Sequence, residues 1–376
     1  MRAHVQCGAD NLRLVWDKLA GKRLGLMTHP CGYDAHLVST IDLLHQNGRL
    51  CALFGCEHGL RGAAQAGAAV SDEIDAETGV PIFSLFGDIH APTPEMLDEI
   101  DVMVVDLQDI GSRFYTYVYS MCYAIEACAR AGKSVVVLDR INPLSGLNAQ
   151  GTILDERFHS FVGEYAVPTR HALTIGEFAR FFVGYRKIDV DLTVAPLTGW
   201  TRDMYLDDTD SIWTPPSPNM PSMMSALNYP GTCLFEGTNI SEGRGTSIPF
   251  EVIGAPFIDG ARLEKAMRAQ KLPGMGFRRA GFTPTFSKFA GEACQGVQVY
   301  VTDRSVADTA LAGLVLLETI MDLWPSDAKI DRASHFNNLL GDDAFQLGRE
   351  DARSLMTRHR PLVQDFERRA AAYRLY

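Results

Sequence analysis

Nowhere does this 376-residue chain offer the ~20 consecutive apolar residues that a bilayer-spanning helix requires, so no membrane partner is expected. Positive charge is also scarce. With 35 Lys and Arg against 46 Asp and Glu, the formal net charge is -11, which repels a phosphate backbone and argues against nucleic acid as a partner. The eight cysteines lack any CxxC spacing, and several lie inside apolar runs as buried free thiols do. The N-terminal stretch MRAHVQCGADNLRLVWDKLAG holds no apolar h-region, so no signal peptide is read. Together these two features imply a cytoplasmic, reducing location, with export as the alternative. No GxGxxG or GxxxxGK[ST] cradle is present, which weakens a nucleotide-binding reading. Without GxSxG or HExxH, acyl transfer and zinc hydrolysis lose their signals. Glu57, His58, Asp106 and His171 are metal-binding residue types, but no tight ligand pair joins them. No metal and no cofactor are expected, and nothing in the pattern fixes an oligomeric state.

What remains is an ordinary globular composition, 46% hydrophobic and 22% charged, in a chain long enough for two domains. The first half alternates strand-like and helix-like segments. KRLGLMTHP, LCALFG, DVMVVDLQD, KSVVVLDRINP and DLTVAPL read as strands. Between them HLVSTIDLLHQNG, YTYVYSMCYAIEACARAG and TIGEFARFFVGY read as helices, the last with a capping box of Thr174 and Glu177. Near-continuous apolar strands in β-α-β order predict a parallel sheet covered on both faces. From about Trp200 the texture changes. TPPSPNMPS is too rich in proline for regular structure, and Tyr229 to Pro256 reads as a glycine-rich loop. A helix, the strand QGVQVYVTD, a long apolar helix and C-terminal amphipathic helices follow. The expected architecture is α/β, with a helix-covered parallel-sheet domain over residues 1–200 and a second, α+β domain over 201–376.

Ligand sites in parallel sheets lie beyond the carboxyl ends of the strands, and the charged clusters fall there. LFGCEHGLRG places Glu57, His58 and Arg61 on a backbone loosened by glycine, either as a site or as a solvated loop capping the next helix. DLQDIGSRFYTYVYS adds Asp106, Gln108, Asp109 and Arg113 together with Phe114, Tyr115 and Tyr117. Acids and amides bond sugar hydroxyls, rings stack on sugar faces, and an arginine forks around a carboxylate. The plainer reading there is an Asp cap with buried tyrosines, and it is preferred for Phe114 and Tyr119. PSPNMPS presents Asn219 between prolines, and EGTNISEGRGT offers Glu236, Asn239, Glu242 and Arg244. His171, before a capped helix, reads first as a structural hydrogen-bond partner.

Taken in order, GCEHGLRG, TGVPIFSLFG, DLQDIGSRFYTY, VVLDRINPLSG, PSPNMP, YPGTCLFEGTNISEGRGT, PFEVIGAP and GVQVYVTDR cover nearly the whole chain. The set resembles the exo-β-N-acetylmuramidase (NamZ-type) glycoside hydrolases. That resemblance implies a Rossmann-like domain and a smaller one with the site between them. The activity it implies is release of N-acetylmuramic acid (MurNAc) from the non-reducing end of peptidoglycan fragments such as MurNAc-GlcNAc, a small-molecule substrate. By position, Glu57 becomes the acid, with His58, Asp106 and Asp109 in the catalytic group. Arg61, Gln108, Arg113, Tyr115, Asn219, Glu236, Asn239 and Arg244 become substrate-binding candidates. Arg113 or Arg244 would meet the lactyl carboxylate. Glycoside hydrolysis usually employs two carboxyl groups, or one aided by the substrate's 2-acetamido carbonyl, which Asp106 or Asp109 would orient. The alternative is a non-catalytic muropeptide- or sugar-binding protein using the same cleft. Departures from the family pattern, Cys56, Gln65 and Ile141, touch none of the charged groups.

Overall fold

The computed structural model describes residues 2–57, 59–60, 73–87 and 89–376. The expected site residues His58 and Arg61 lie outside the described residues. In the first half the strands are β1 (Arg23–Thr28), β2 (Arg49–Gly55), β3 (Glu73–Ile74), β4 (Pro81–Ser84), β5 (Val102–Asp106), β6 (Ser134–Leu138), β7 (Gln150–Ile153), β8 (Pro168–Arg170) and β9 (Leu192–Ala195). The helices among them are α1 (Trp16–Leu19), α2 (Thr40–Asn47), α3 (Pro94–Asp98), α4 (Tyr117–Arg130) and α5 (Ile175–Arg186). In the second half β10 (Val252–Ala255), β11 (Met275–Phe282) and β12 (Cys294–Val301) accompany α6 (Met223–Thr232), α7 (Gly260–Ala269), α8 (Thr309–Leu323), α9 (Ala333–Leu340) and α10 (Ala352–Ala370).

Seven strands pair in the order β3-β4-β2-β1-β5-β6-β9, all parallel except β3 against β4. The two-residue period of a strand explains why the apolar runs have no polar face. Along β5, Val102 and Val104 enter one core while Met103 and Val105 enter the other. Helices α4 and α5 cover the Met103 face, and Leu19 and Leu44 help close the opposite one. The chain leaves central β1 toward β2 and β4, then returns across it to β5. This reversal makes the carboxyl ends of β1 and β5 the topological switch point.

Local signals account for several boundaries. The Thr174–Glu177 capping box opens α5 as expected. Ser39 caps α2, so that helix begins at Thr40 and Leu37 falls outside it with φ 63°.

The second half packs an antiparallel sheet, β10-β12-β11, against α7, with α6 and α8 behind. One continuous core runs from Val105 and Val137 of the large sheet to Phe235, Ile253 and Leu314 of the second half. Here the sequence reading needs correction. The stretch from Tyr229 to Pro256 is not all loop: α6 runs through Tyr229 and Pro230, and β10 emerges near its end. The Ser222 hydroxyl caps α6 by accepting from the Ser225 amide. Its glycine is a packing seam, because a Cβ on Gly231 would lie 2.0 Å from the Thr309 carbonyl oxygen at the backbone of α8.

Candidate active site

Glu57 follows β2 on the rim formed by the strand carboxyl ends. It meets the start of α4, where Thr116 occupies the N-cap position without using its hydroxyl as a cap. That hydroxyl instead donates to Glu57 Oε2 at 2.9 Å. One residue on, the Tyr117 hydroxyl donates to the Pro216 carbonyl at 2.7 Å, with the Glu57 carbonyl at 3.4 Å. The carboxyl group and its main chain are therefore held by the first turn of a fourteen-residue helix.

Glu57 borders a pocket of about 70 Å³ between the two halves of the chain. Phe114, Tyr115, Thr116 and Tyr117 form one wall; Ser217, Asn219 and Met220 come from the proline-rich segment. Tyr229, Arg244 and Phe250 close the far side. The rings interlock edge to face: Tyr115 on Tyr117 at 5.2 Å, Phe114 on Tyr229 at 5.3 Å, and Tyr229 on Phe250 at 4.7 Å. Arg244 lies over Phe250 with its Cζ 5.0 Å from the ring centroid. Among the described residues bordering this pocket, Glu57 is the one carboxyl group and Arg244 the one cation.

Arg244 is held from behind. Its Nη2 donates to Glu236 Oε1 at 2.6 Å and its Nε lies 3.4 Å from Glu242 Oε1. Glu236 also meets His335 Nε2 at 3.3 Å, while Glu242 meets Lys288 at 3.1 Å. Burial pushes the Glu236 pKa up, but His335 and Arg244 overcome it and hold the group down at about 2. Glu236 thus acts on the pocket through the arginine it orients.

Other expected site residues are placed elsewhere. Asp106 is wholly buried, where its carboxylate takes Arg140 Nε at 2.5 Å and Nη2 at 2.8 Å, with a further hydrogen bond from Thr40. It ties β5 to the end of β6 and does not border the Glu57 pocket. Asp109 accepts the Gly111 amide at 2.6 Å and faces His171 Nε2 at 3.2 Å. Gly111 adopts φ 79° there, with the Asn142 side chain too close for a Cβ. His171 accordingly has the structural role expected of it.

Arg113 requires a correction. Its guanidinium is fully buried and donates to the carbonyls of Thr152, Val167, Leu339 and Leu340 at 2.5–3.0 Å. Burial lowers its pKa to about 10. It cross-links the two halves of the chain and leaves no fork for a ligand carboxylate. Asn239 is likewise structural, donating to the Asp327 carbonyl at 2.8 Å and accepting the Lys329 amide at 2.9 Å. Gln108 borders a different cavity.

Of the expected set, the pocket gathers Glu57, Tyr115, Asn219 and Arg244, with Glu236 behind. Thr116, Ser217, Met220, Tyr229 and Phe250 were not singled out from sequence, although Thr116 is in the DLQDIGSRFYTY motif and Tyr229 opens YPGTCLFEG. Phe114, read as packing, also borders the pocket.

A parallel α/β domain joined to a smaller antiparallel one, with an acid facing an arginine across an aromatic pocket, describes a two-lobed α/β protein with a polar-ligand site between its lobes. Family models described as exo-β-N-acetylmuramidase NamZ, N-terminal and C-terminal, match residues 24–224 and 227–376. The chain belongs to the exo-β-N-acetylmuramidase NamZ family. The two models meet within the first turn of α6. The chain is 46% identical to the peptidoglycan β-N-acetylmuramidase NamZ of Bacillus subtilis (strain 168), over 99% of this chain and 91% of that protein. Two crystal structures of DUF1343 family proteins from Bacteroides fragilis NCTC 9343 resemble it. One has TM-score 0.92 at 35% identity, covering 100% of both chains; the other has TM-score 0.75 at 27% identity, covering 99% of both.

Proposed function

We propose that this protein is an exo-β-N-acetylmuramidase that releases MurNAc from the non-reducing end of peptidoglycan fragments, with Glu57 as the general acid. The observation that carries the reading is the pocket itself. A carboxyl group fixed by Thr116 faces an arginine fixed by Glu236, in a member of this family. Glu57 gives its proton to the bridging oxygen as the bond from that oxygen to C1 breaks. The substrate's 2-acetamido oxygen supplies the bond to C1; water then attacks C1, gives its proton to the Glu57 carboxylate and opens the resulting ring with retention. Arg244, the pocket's cation, meets the lactyl carboxylate that distinguishes MurNAc from other amino sugars. Asp106 and Asp109 serve the site through the loops they hold. The eight free thiols support action in a reducing compartment, which fractionation of the producing cells checks.

The test is turnover of MurNAc-GlcNAc followed by NMR, which should show MurNAc released first as the β-anomer. Glu57→Gln should lower kcat by roughly 10²–10⁴-fold, the usual contribution of a positioned acid, while the melting temperature stays near that of the parent. Tight binding of the disaccharide by the parent without any release would identify a sugar-binding protein instead. Full activity in Glu57→Gln would remove that residue from the role of acid.

A further inference from the structure

A second and larger cavity, about 220 Å³, opens at the carboxyl ends of β1, β5 and β6, where the strand order reverses. It lies apart from the Glu57 pocket. The proline-rich segment borders this cavity through Thr214 and the other through Ser217. His29 links the two linings: its ring is tilted against Tyr117 with centroids 4.6 Å apart, and its Nε2 lies 2.8 Å from the Gln108 amide nitrogen.

Two polar groups at the cavity are only partly used. Arg140 spends Nε and Nη2 on Asp106 and the Tyr33 carbonyl, and its Nη1 has no hydrogen-bond partner among the described residues. Gln108 Nε2 donates to the carbonyls of Asp109 and Ile141, which fixes the amide orientation and leaves Oε1 as a free acceptor. A donor and an acceptor on one cavity wall complement the C=O and N–H of a secondary amide. Around them the lining is largely carbon. Val5, Ile141 and Leu206 are buried, and the polar ends of both rings are tied down: Trp213 Nε1 to the Met220 carbonyl, and the Tyr33 hydroxyl to Thr214. Rings held in this way present apolar surface to a sugar face.

Charge selects among such ligands. Asp106 already neutralises Arg140, and Asp10, Asp34 and Asp210 lie around the cavity with His4 and His36, so an anion gains little there. The thiols of Cys7 and Cys31 are pushed up by burial to about 11 and about 12; they remain protonated and offer no nucleophile. The cavity is equipped for binding.

We infer that this cavity is a second sugar site, taking a neutral N-acetylated hexosamine such as N-acetylglucosamine by its acetamido group. The choice of a sugar among secondary amides rests on the proposed activity. Such a site holds a glycan independently of the unit being cleaved.

Isothermal titration of N-acetylglucosamine into the Glu57→Gln protein tests this, with glucose, which lacks the acetamido group, as control. N-acetylglucosamine should bind at least tenfold more tightly than glucose. Gln108→Leu and Trp213→Leu should each weaken it at least fivefold. Ile212→Arg, at a rim position 57% exposed, should do the same by filling the mouth without disturbing the core. Arg244→Gln, in the other pocket, should leave this affinity unchanged. Absence of binding, equal binding of glucose, or loss only in Arg244→Gln would overturn the inference. Turnover of MurNAc-GlcNAc by the parent is read separately, so a failed activity and a failed second site are distinguishable.

Discussion

Two arginines fitted an anionic sugar equally well by residue type, and burial separates them. Arg113 is enclosed by four main-chain carbonyls, whereas Arg244 keeps part of its guanidinium toward the pocket. Nothing in the string DLQDIGSRFYTY distinguishes a side chain that turns inward to bind α9 from one that turns toward the cleft, because all four acceptors lie outside it, two of them more than 200 positions away. The place of Glu57, beside the pocket at the end of β2, was legible for the opposite reason. It follows an apolar strand directly, and the rule placing sites beyond strand ends needs no long-range information. Arg244→Gln should therefore lower kcat/KM for MurNAc-GlcNAc by roughly 10- to 100-fold, the cost of losing a charge-assisted hydrogen bond. The loss should appear in KM more than in kcat, since the lactyl contact is made before bond breaking. Arg244→Lys should recover part of it. A kcat effect with unchanged KM would assign Arg244 to the chemical step instead.

Among the elements, those with a local signature were the ones read correctly. Thr174 and Glu177 mark the start of α5 within four residues, and the all-apolar VMVV run of β5 announces a strand buried on both faces. Of the misread elements, α6 is the one where Pro230 and Gly231 look like punctuation. Proline near a helix C-terminus loses one intrahelical bond, which packing against α8 offsets in this setting. The glycine is present because two backbones touch, Gly231 against Gly313. Gly231→Ala should therefore destabilise the protein by about 1–3 kcal/mol through overpacking, read as a lower midpoint in urea. It should also impair catalysis, since Tyr229 lies two residues away on the pocket wall. Gly281→Ala is the matched control: its added Cβ meets only the Cys294 carbonyl oxygen, at 3.8 Å, and the midpoint should shift little. Equal shifts in the two variants would mean that the α6–α8 seam is more compliant than its geometry indicates.

Across the whole molecule, one buried acid gathers groups from distant parts of the chain. Asp139, fully buried at the end of β6, accepts the Thr174 hydroxyl at 2.8 Å, the Gly176 amide at 2.7 Å and the Tyr376 hydroxyl at 2.7 Å. Its own loop adds the Arg140 amide at 2.9 Å, and Glu177 lies nearby with its charge toward Arg202. Burial raises the Asp139 pKa to about 7, against the pull of those donors. An unfolded aspartate titrates near ~3.9, so the folded protein binds this proton more tightly than the unfolded chain does. By linkage, the stability contributed by the group is complete below ~4 and is lost as pH rises through about 7. Other carboxylates act with the opposite sign: Glu236, held down at about 2, loses its contribution only as pH falls. A single melting curve mixes the two, and a difference between variants isolates one. Urea unfolding of the parent and Asp139→Asn between pH 4.5 and 7.5 should give a stability difference that moves steadily against the parent as pH rises. Tyr376→Phe, which removes one donor to the carboxylate, should shift that window to higher pH. A difference that stays flat, or that moves toward the parent with rising pH, would mean that Asp139 is ionised throughout and that its donors outweigh burial.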